Sequence, residues 1–205
     1  MLNKKINLPN FLIVGSAKSG TTSLYNYLKN HDDIFLSKDR KEGSYFSNLY
    51  EQKVFIPDDY HYDIVESLSE YEGFFSKYNK EKYIGDISPD YLYYYEKSIP
   101  LIKRYLDDPT IFIILRNPID RAFSHYKQNV RLESEHVSFE EALTLEEQRK
   151  KDNWIFMWHY LEVSKYYEQV KAFKDSFSNV NVLLYDDLKK DTKSFMKTNF
   201  YDNLN

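Results

Sequence analysis

Near its N-terminus the chain runs Phe11-Leu12-Ile13-Val14-Gly15-Ser16-Ala17-Lys18-Ser19-Gly20-Thr21-Thr22-Ser23. The apolar run predicts a buried strand, and the small residues after it predict a loop that opens into a helix. Such a loop favours a bound phosphate, because the N–H groups and the dipole at a helix N-terminus attract anions. Gly15 and Gly20 have the spacing of a Walker A loop. Thr21, however, stands where that loop carries its lysine, and the lysine of this loop is Lys18. The stretch therefore predicts an anion cradle unlike that of a triphosphate-binding enzyme.

Composition narrows the class of protein. With 205 residues, the chain is predicted to form one domain over residues 1–205. A net charge of −4 argues against a broad nucleic-acid-binding surface, and the absence of cysteine excludes a disulfide scaffold and a cysteine zinc site. The apolar run at 111–115 is too short to span a bilayer, and no secretory signal follows the first residues. We therefore expect a cytoplasmic protein with no membrane span and no nucleic-acid partner, while its oligomeric state stays open.

Predicted strands and helices alternate along the chain. Strands are predicted at residues 11–14, 34–36, 82–87, 110–115 and 180–185, and helices at 21–29, 63–78, 99–106, from 118, after a capping box of Ser138 and Glu141, and at 163–177. Strands that are apolar on both faces and separated by helices indicate a three-layer, P-loop-like α/β fold, with a central parallel sheet flanked by helices on both faces. The helix that begins at Pro118 is predicted to bury Ile119, Ala122, Phe123, Tyr126 and Val130.

A second motif follows the fourth predicted strand and runs Leu115-Arg116-Asn117-Pro118-Ile119-Asp120-Arg121-Ala122-Phe123-Ser124-His125-Tyr126. Arg116 ends the strand, and Ser124 lies two turns into the helix. An arginine fork and a helix hydroxyl can together bind one phosphate. Taken alone, the motif is better explained by a surface arginine that pairs with Asp120. Because ligands in such sheets bind at the carboxyl ends of the strands, its combination with the first loop favours a second phosphate site.

Together the two motifs resemble the sulfotransferase family, whose sulfuryl donor is 3′-phosphoadenosine 5′-phosphosulfate (PAPS). The family's 5′-phosphosulfate loop resembles residues 15–23, and its 3′-phosphate motif is matched by Arg116, Pro118, Arg121, Ser124 and Tyr126. Two further segments are similar to the branch that contains the heparan sulfate sulfotransferases and their bacterial relatives. They are Lys41-Glu42-Gly43-Ser44-Tyr45-Phe46 and Gly85-Asp86-Ile87-Ser88-Pro89-Asp90-Tyr91-Leu92. The resemblance covers nearly the whole chain.

The resemblance implies roles for single residues. Glu42 is the candidate general base, and Lys18 is the candidate that stabilises the leaving phosphate. The candidate donor-binding residues are Lys18, Ser19, Gly20, Thr21, Thr22, Ser23, Arg116 and Ser124, and those on the acceptor side are Lys41, Ser88, Pro89 and Tyr91. Without the family motif, Glu42 is better explained as a solvated residue of the charged run 38–42. No metal is expected, because the five histidines lack metal-binding spacing.

The implied activity is transfer of a sulfuryl group from PAPS to a hydroxyl or amine of a glycan, sugar or small metabolite. The other product is 3′-phosphoadenosine 5′-phosphate (PAP). Ser44 replaces a histidine of several heparan-type members and Ile87 replaces a lysine, which weakens the case for a highly sulfated polysaccharide acceptor. The family's closing C-terminal loop is not found, so the domain is expected to be short at that end. The alternatives are a P-loop nucleotide kinase or NTPase, which Thr21 disfavours, and a truncated, non-catalytic nucleotide-binding module.

Overall fold

A five-stranded parallel sheet forms the centre of the protein in a computed structural model that describes residues 8–202. Its strands are β1 (Phe11–Gly15), β2 (Ile34–Leu36), β3 (Tyr83–Ile87), β4 (Thr110–Leu115) and β5 (Val180–Leu184), in the spatial order β2-β3-β1-β4-β5. Every neighbouring pair is parallel. The α/β class and the parallel sheet predicted from the sequence are confirmed.

Helices fill the connections between the strands. They are α1 (Thr21–Leu28), α2 (Leu49–Gln52), α3 (Leu68–Gly73), α4 (Tyr95–Leu106), α5 (Pro118–Arg131), α6 (Phe139–Lys151), α7 (Tyr166–Ser176), α8 (Tyr185–Lys190) and α9 (Thr192–Met196). Two 3-10 turns, Phe156–Trp158 and Glu162–Ser164, lie between α6 and α7. Ser138 caps α6 as predicted, since its Oγ accepts from the Glu141 N–H at 3.2 Å, which is one of the two hydrogen bonds of a capping box. Among residues 8–202 no helix combines the length and the apolar character that a membrane span requires.

The alternation of side chains along β1 builds two cores. Phe11 and Ile13 pack on one face of the sheet with Leu24 of α1. Leu12 and Val14 pack on the other face with Ile102 of α4. Helices therefore cover both faces, as expected of a parallel sheet whose strands are fully buried.

The strand order places a crevice between β1 and β4. The chain leaves β1 through α1 toward β2 at one edge, and it leaves β4 through α5 toward β5 at the other edge. Such a reversal of direction opens a binding crevice at the carboxyl ends of the two strands. The loop after β1 and the residue after β4 are the two predicted phosphate sites, so the topology brings them together.

Several predicted element boundaries were wrong. The helix predicted at 163–177 begins only at Tyr166, because a 3-10 turn occupies Glu162–Ser164. The helix predicted at 63–78 is only α3, because the Ser67 side chain caps it, accepting from the Glu70 N–H at 3.2 Å, and it ends at Gly73. Helix α4 begins at Tyr95 rather than at residue 99 and contains Pro100. The last strand ends at residue 184, because the following residue already begins α8.

The predicted core face of α5 was wrong in part: Ala122 is buried and Tyr126 packs against the core, but the other three residues are exposed. Ile119 is 75% exposed, and Phe123 and Val130 are each 43% exposed. The buried face also carries Arg121 and Asn129, whose side chains donate hydrogen bonds to Ser164 Oγ (2.6 Å) and to the backbone oxygen of residue 157 (2.8 Å). Polar groups tolerate burial when they are hydrogen-bonded, so α5 packs its polar face against the 3-10 turns.

Candidate active site

A cleft of about 330 Å³ lies at the carboxyl ends of β1 and β4. Among the candidate residues from the sequence, those that line it are Lys18, Gly20, Thr21, Thr22, Lys41, Glu42, Pro89, Arg116 and Ser124. Four other candidates do not line it: Ser19, Ser88 and Tyr91 are buried, and Ser23 is exposed on α1. The structure thus brings the donor, base and acceptor candidates from four separate segments to one cleft.

The loop after β1 is shaped by close packing around Gly20. This glycine has φ = +92°, and a Cβ placed on it would lie 2.8 Å from the ring of Tyr185. Ser16 Oγ and Ser19 Oγ form a buried hydrogen bond of 2.7 Å beneath the loop. The buried Ser19 therefore supports the loop from below, while Lys18 and Thr22 reach the cleft.

Alanine at Gly20 is expected to lower the free energy of unfolding by about 1–3 kcal/mol, through strain at positive φ and the clash with Tyr185. Urea denaturation measures the loss. Gly73→Ala is the matched control, because no atom lies within 4 Å of the added Cβ and the glycine is not at positive φ. Equal stability of the two variants would contradict this account of the loop.

Arg116 joins the two sides of the crevice. Its Nη1 donates to the backbone oxygen of Lys18 at 3.2 Å, and its guanidinium lies 5.1 Å from the ring centre of Tyr185. Tyr166 Oη donates to the Arg116 backbone oxygen at 3.0 Å. Among the described residues no ion pair joins Arg116 to Asp120, the partner considered from the sequence. The guanidinium is thus held at the cleft without a carboxylate partner.

Lys18 lies in a field of positive charge. Burial lowers the pKa of its ammonium group, and the nearby Arg131, Lys41 and Arg116 lower that pKa further, while Glu42 opposes them. Its Nζ donates a hydrogen bond to the Gln128 side chain rather than to a carboxylate. Because burial and neighbouring cations destabilise the charged form of Lys18, a bound anion would stabilise this site by relieving the repulsion.

Glu42 lies at the edge of the same cleft. Its Oε1 accepts a hydrogen bond from Lys41 Nζ at 2.6 Å, and the same Nζ contacts Thr22 Oγ1 at 2.8 Å. Lys41 therefore links the loop of Glu42 to the first turn of α1. The carboxyl side chain remains 36% exposed, so a bound molecule could reach it.

The loop that carries Glu42 is held by the segment after β3. The backbone N–H groups of residues 43–45 donate in turn to Asp86 Oδ1 (3.2 Å), Ser88 Oγ (2.9 Å) and Tyr91 Oη (3.1 Å). Asp86 also accepts from the hydroxyls of Ser88 (2.6 Å) and Tyr91 (2.8 Å). Two segments that are separate motifs in the sequence form one structural unit. In the structure, Ser88 and Tyr91 hold this loop instead of lining the cleft.

An aromatic wall of the cleft was missed by the sequence analysis. It is formed by Tyr60, Tyr62 and Phe156, with Met157 beside them. The rings of Tyr60 and Tyr62 are nearly parallel, with centres 6.4 Å apart, and Trp158 supports Tyr60 from behind at 5.0 Å. Trp154 contacts Trp158 at 5.4 Å. Irregular segments supply this wall, so no periodic pattern in the sequence could have indicated it.

Helix α5 contributes two buried polar residues at or near the cleft, His125 and Arg121. His125 lines it, and burial together with the charge of Arg121 lowers the pKa of this imidazole well below its ordinary value, so it is neutral near pH 7. Burial lowers the pKa of Arg121 to about 10. This second arginine of the motif lies behind the cleft and donates to His125 Nδ1 at 3.0 Å.

Within residues 8–202 no group of His, Cys, Asp or Glu side chains has an arrangement that could hold a metal ion.

Comparisons with known proteins point to one family. The family described as a sulfotransferase domain matches residues 8–200. The crystal structure of a sulfotransferase from Alicyclobacillus acidocaldarius superposes with a TM-score of 0.84 at 35% identity, over 94% of this chain and 79% of that one.

A relative from Dictyostelium discoideum, the membrane-associated sulfotransferase kil1, is 28% identical over 131 residues. The match covers 62% of this chain and 24% of the relative, so the chain spans about a quarter of that protein's length.

Proposed function

Because this chain belongs to the sulfotransferase family, we propose that it transfers a sulfuryl group from PAPS to a hydroxyl or amine of a glycan, sugar or small metabolite. The observation that carries the proposal is the meeting of two cationic anchors and one carboxylate at a single cleft. Lys18 follows β1, Arg116 follows β4, and Glu42 is on a loop held by the segment after β3. A donor with phosphate groups at two positions needs two anion sites, and the carboxylate that acts as the base must lie beside these sites.

The residues present fit this donor. The loop leads into the N-terminus of α1, whose N–H groups attract anions, and Lys18 and Arg116 offer positive charge with no carboxylate bound to them among residues 8–202. In the proposal, the 5′-phosphosulfate is bound by Lys18 and the loop 19–23, and the 3′-phosphate by Arg116 and Ser124. Ser19, being buried, would act through its backbone and through the shape of the loop.

The donor would supply the sulfuryl group and leave as PAP. Glu42 would accept the proton of the attacking hydroxyl or amine, which makes that group a better nucleophile. Lys18 would stabilise the negative charge that grows on the leaving phosphate. Lys41 would hold the Glu42 carboxylate against α1, and Pro89 would shape the acceptor side next to the aromatic wall. The reaction scheme gives no role to a metal.

Two binding measurements separate this proposal from a kinase or NTPase. We expect PAP at about one hundred times its dissociation constant to stabilise the folded protein by about 2.7 kcal/mol, which raises the melting temperature by several degrees. ATP with magnesium should shift it far less. Stabilisation by ATP with magnesium and none by PAP would overturn the proposal.

A transfer assay separates the enzyme from a binding module. Radiolabelled PAPS is incubated with phenols, alcohols and oligosaccharides, and labelled product is counted. Binding of PAP without any transfer would favour a non-catalytic module.

The cytoplasmic location expected from the composition stays a prediction, and the relative from Dictyostelium is described as membrane-associated.

A further inference from the structure

Asp90 is a buried carboxyl group directly behind the loop of Glu42. It is 1% exposed, and its Oδ1 accepts a hydrogen bond from Ser44 Oγ at 3.1 Å. Its Oδ2 is also buried and has no hydrogen-bond partner within 3.5 Å among the described residues, although the nearby Ser47 hydroxyl favours the carboxylate form. Tyr62, on the cleft wall, donates to the same Ser44 Oγ at 3.4 Å. A line of polar groups therefore leads from the cleft through Ser44 to Asp90.

No cation balances this carboxyl group. The titratable groups that face it are the carboxyl of Glu42 and the phenols of Tyr62, Tyr91 and Tyr94. Within residues 8–202 neither lysine nor arginine forms an ion pair with it. Burial raises the pKa of Asp90 to about 7; hydrogen bonding by Ser47 and Ser44 opposes this rise, and the negative charge of Glu42 adds to it.

Such a carboxyl group destabilises the folded protein above neutral pH. The unfolded chain releases the proton of this residue near its ordinary pKa of 3.8, whereas the folded chain holds that proton until about pH 7. Stability is therefore lost as pH rises from about 4 to 7, and it stays lower above pH 7. Burial raises the pKa of Asp86 as well, but there four groups donate to the carboxylate and oppose the rise: the Gly43 N–H, Ser88, Tyr91 and Tyr71. A residue that lowers stability and contacts the loop of the base calls for a functional explanation.

We propose that Asp90 is a positioning residue for sulfuryl transfer, whose carboxylate fixes Ser44 and through it both the Glu42 loop and the Tyr62 hydroxyl. The inference rests on the proposed function, in which Glu42 takes the acceptor proton. The ionised form binds the Ser44 hydroxyl more tightly, because hydrogen bonds to charged acceptors are the stronger ones. The loop is therefore held most firmly above pH 7, which is the range in which Asp90 contributes least to the stability of the fold.

Asp90→Asn tests the stability part of the proposal. The amide oxygen can still accept from Ser44 but carries no charge at any pH. We expect a melting temperature close to that of the wild type near pH 5 and clearly higher near pH 8. Asp86→Asn is the matched control: its amide would point N–H groups at groups that already donate, so melting should fall at both pH values. A lower melting temperature of Asp90→Asn near pH 8 would overturn the proposal, since Asp90 would then be an ordinary stabilising residue.

Turnover tests the positioning part. In Asp90→Asn we expect kcat near pH 8 to fall about tenfold, because small displacements of a reacting group have large effects on rate, while PAP affinity stays within about twofold. Ser44→Ala should cause a similar loss. The double variant should lose no more than Ser44→Ala alone, because both changes act on the same hydrogen bond, which Asn weakens and Ser44→Ala removes. Full additivity, or unchanged kcat in Asp90→Asn, would overturn the proposal.

Amide hydrogen exchange provides a reading that does not depend on activity. Exchange over residues 42–46 should be faster in Asp90→Asn than in the wild type near pH 8. If the wild type transfers no sulfuryl group but this exchange result and the melting result hold, the proposed function fails and the grip of Asp90 on the loop stands. If the wild type is active and exchange in the variant is unchanged, the inference fails and the proposed function stands.

Discussion

The Lys18→Ala variant is expected to lose sulfuryl transfer by about 100-fold to 1000-fold, the scale seen when one group that stabilises transition-state charge is removed. The physical reason lies in the charge of the cleft. Lys18 is the candidate cation on the phosphate loop, and burial together with Arg131 and Lys41 lowers the pKa of its ammonium group. A bound anion would reverse this effect, so the residue gains most when negative charge develops nearby. Affinity for PAP should fall as well.

Turnover with radiolabelled PAPS and PAP binding by calorimetry measure these losses. Lys171→Ala is the control, since this lysine is exposed on α7, pairs with Asp175 and changes the net charge equally. The fold should survive, because removal of a cation with a lowered pKa relieves repulsion in the folded state. Unchanged turnover would remove Lys18 from the mechanism. A large fall in melting temperature would instead assign it a structural role.

Glu42→Gln is expected to reduce kcat by about 100-fold to 10,000-fold, the range typical of a lost general base, with PAP affinity nearly unchanged. The amide has the size of the carboxylate and can still accept from Lys41 through its oxygen, so the loop should keep its hydrogen bonds to Asp86, Ser88 and Tyr91. What the variant loses is the ability to take a proton from the acceptor.

The split between kcat and donor affinity decides the role of Glu42. Glu66→Gln is the matched control, because that glutamate is exposed and lies away from the cleft. A large loss of PAP binding in Glu42→Gln would mean that the carboxylate organises the phosphate loop through Lys41 and Thr22. Normal kcat would return Glu42 to the solvated role that the charged run 38–42 suggests.

The sequence predicted the parts of the site that depend on local rules. Strand, glycine-rich loop and helix follow each other directly around Gly20, and Arg116 ends an apolar strand, so parallel packing alone brings Arg116 and Lys18 to one crevice. The class of fold and the family followed from these signals. Both are consequences of short-range pattern and of general rules for parallel sheets.

The parts that the sequence did not predict depend on contacts between distant segments. Ser88 and Tyr91 were expected near the acceptor, but their hydroxyls hold the backbone of the Glu42 loop more than 40 residues away in the chain. The buried face of α5 was misassigned in part because Arg121 donates to Ser164 and to the backbone oxygen of Tyr160, about 40 residues away in the chain. Hydrophobic periodicity cannot reveal such partners, since the pattern counts apolar residues and says nothing of buried hydrogen bonds.

The aromatic wall gives the protein a built-in optical reporter. The chain has two tryptophans: the ring of Trp158 lies 5.0 Å from that of Tyr60, and Trp154 lies 5.4 Å from Trp158. All indole emission therefore originates next to the side of the cleft where an acceptor would sit. A molecule that moves Tyr60 should change the intensity or wavelength of that emission, while PAP, which we propose binds at Lys18 and Arg116, should change it less. Acceptor candidates can thus be screened by intrinsic fluorescence without any label and before any turnover is measured.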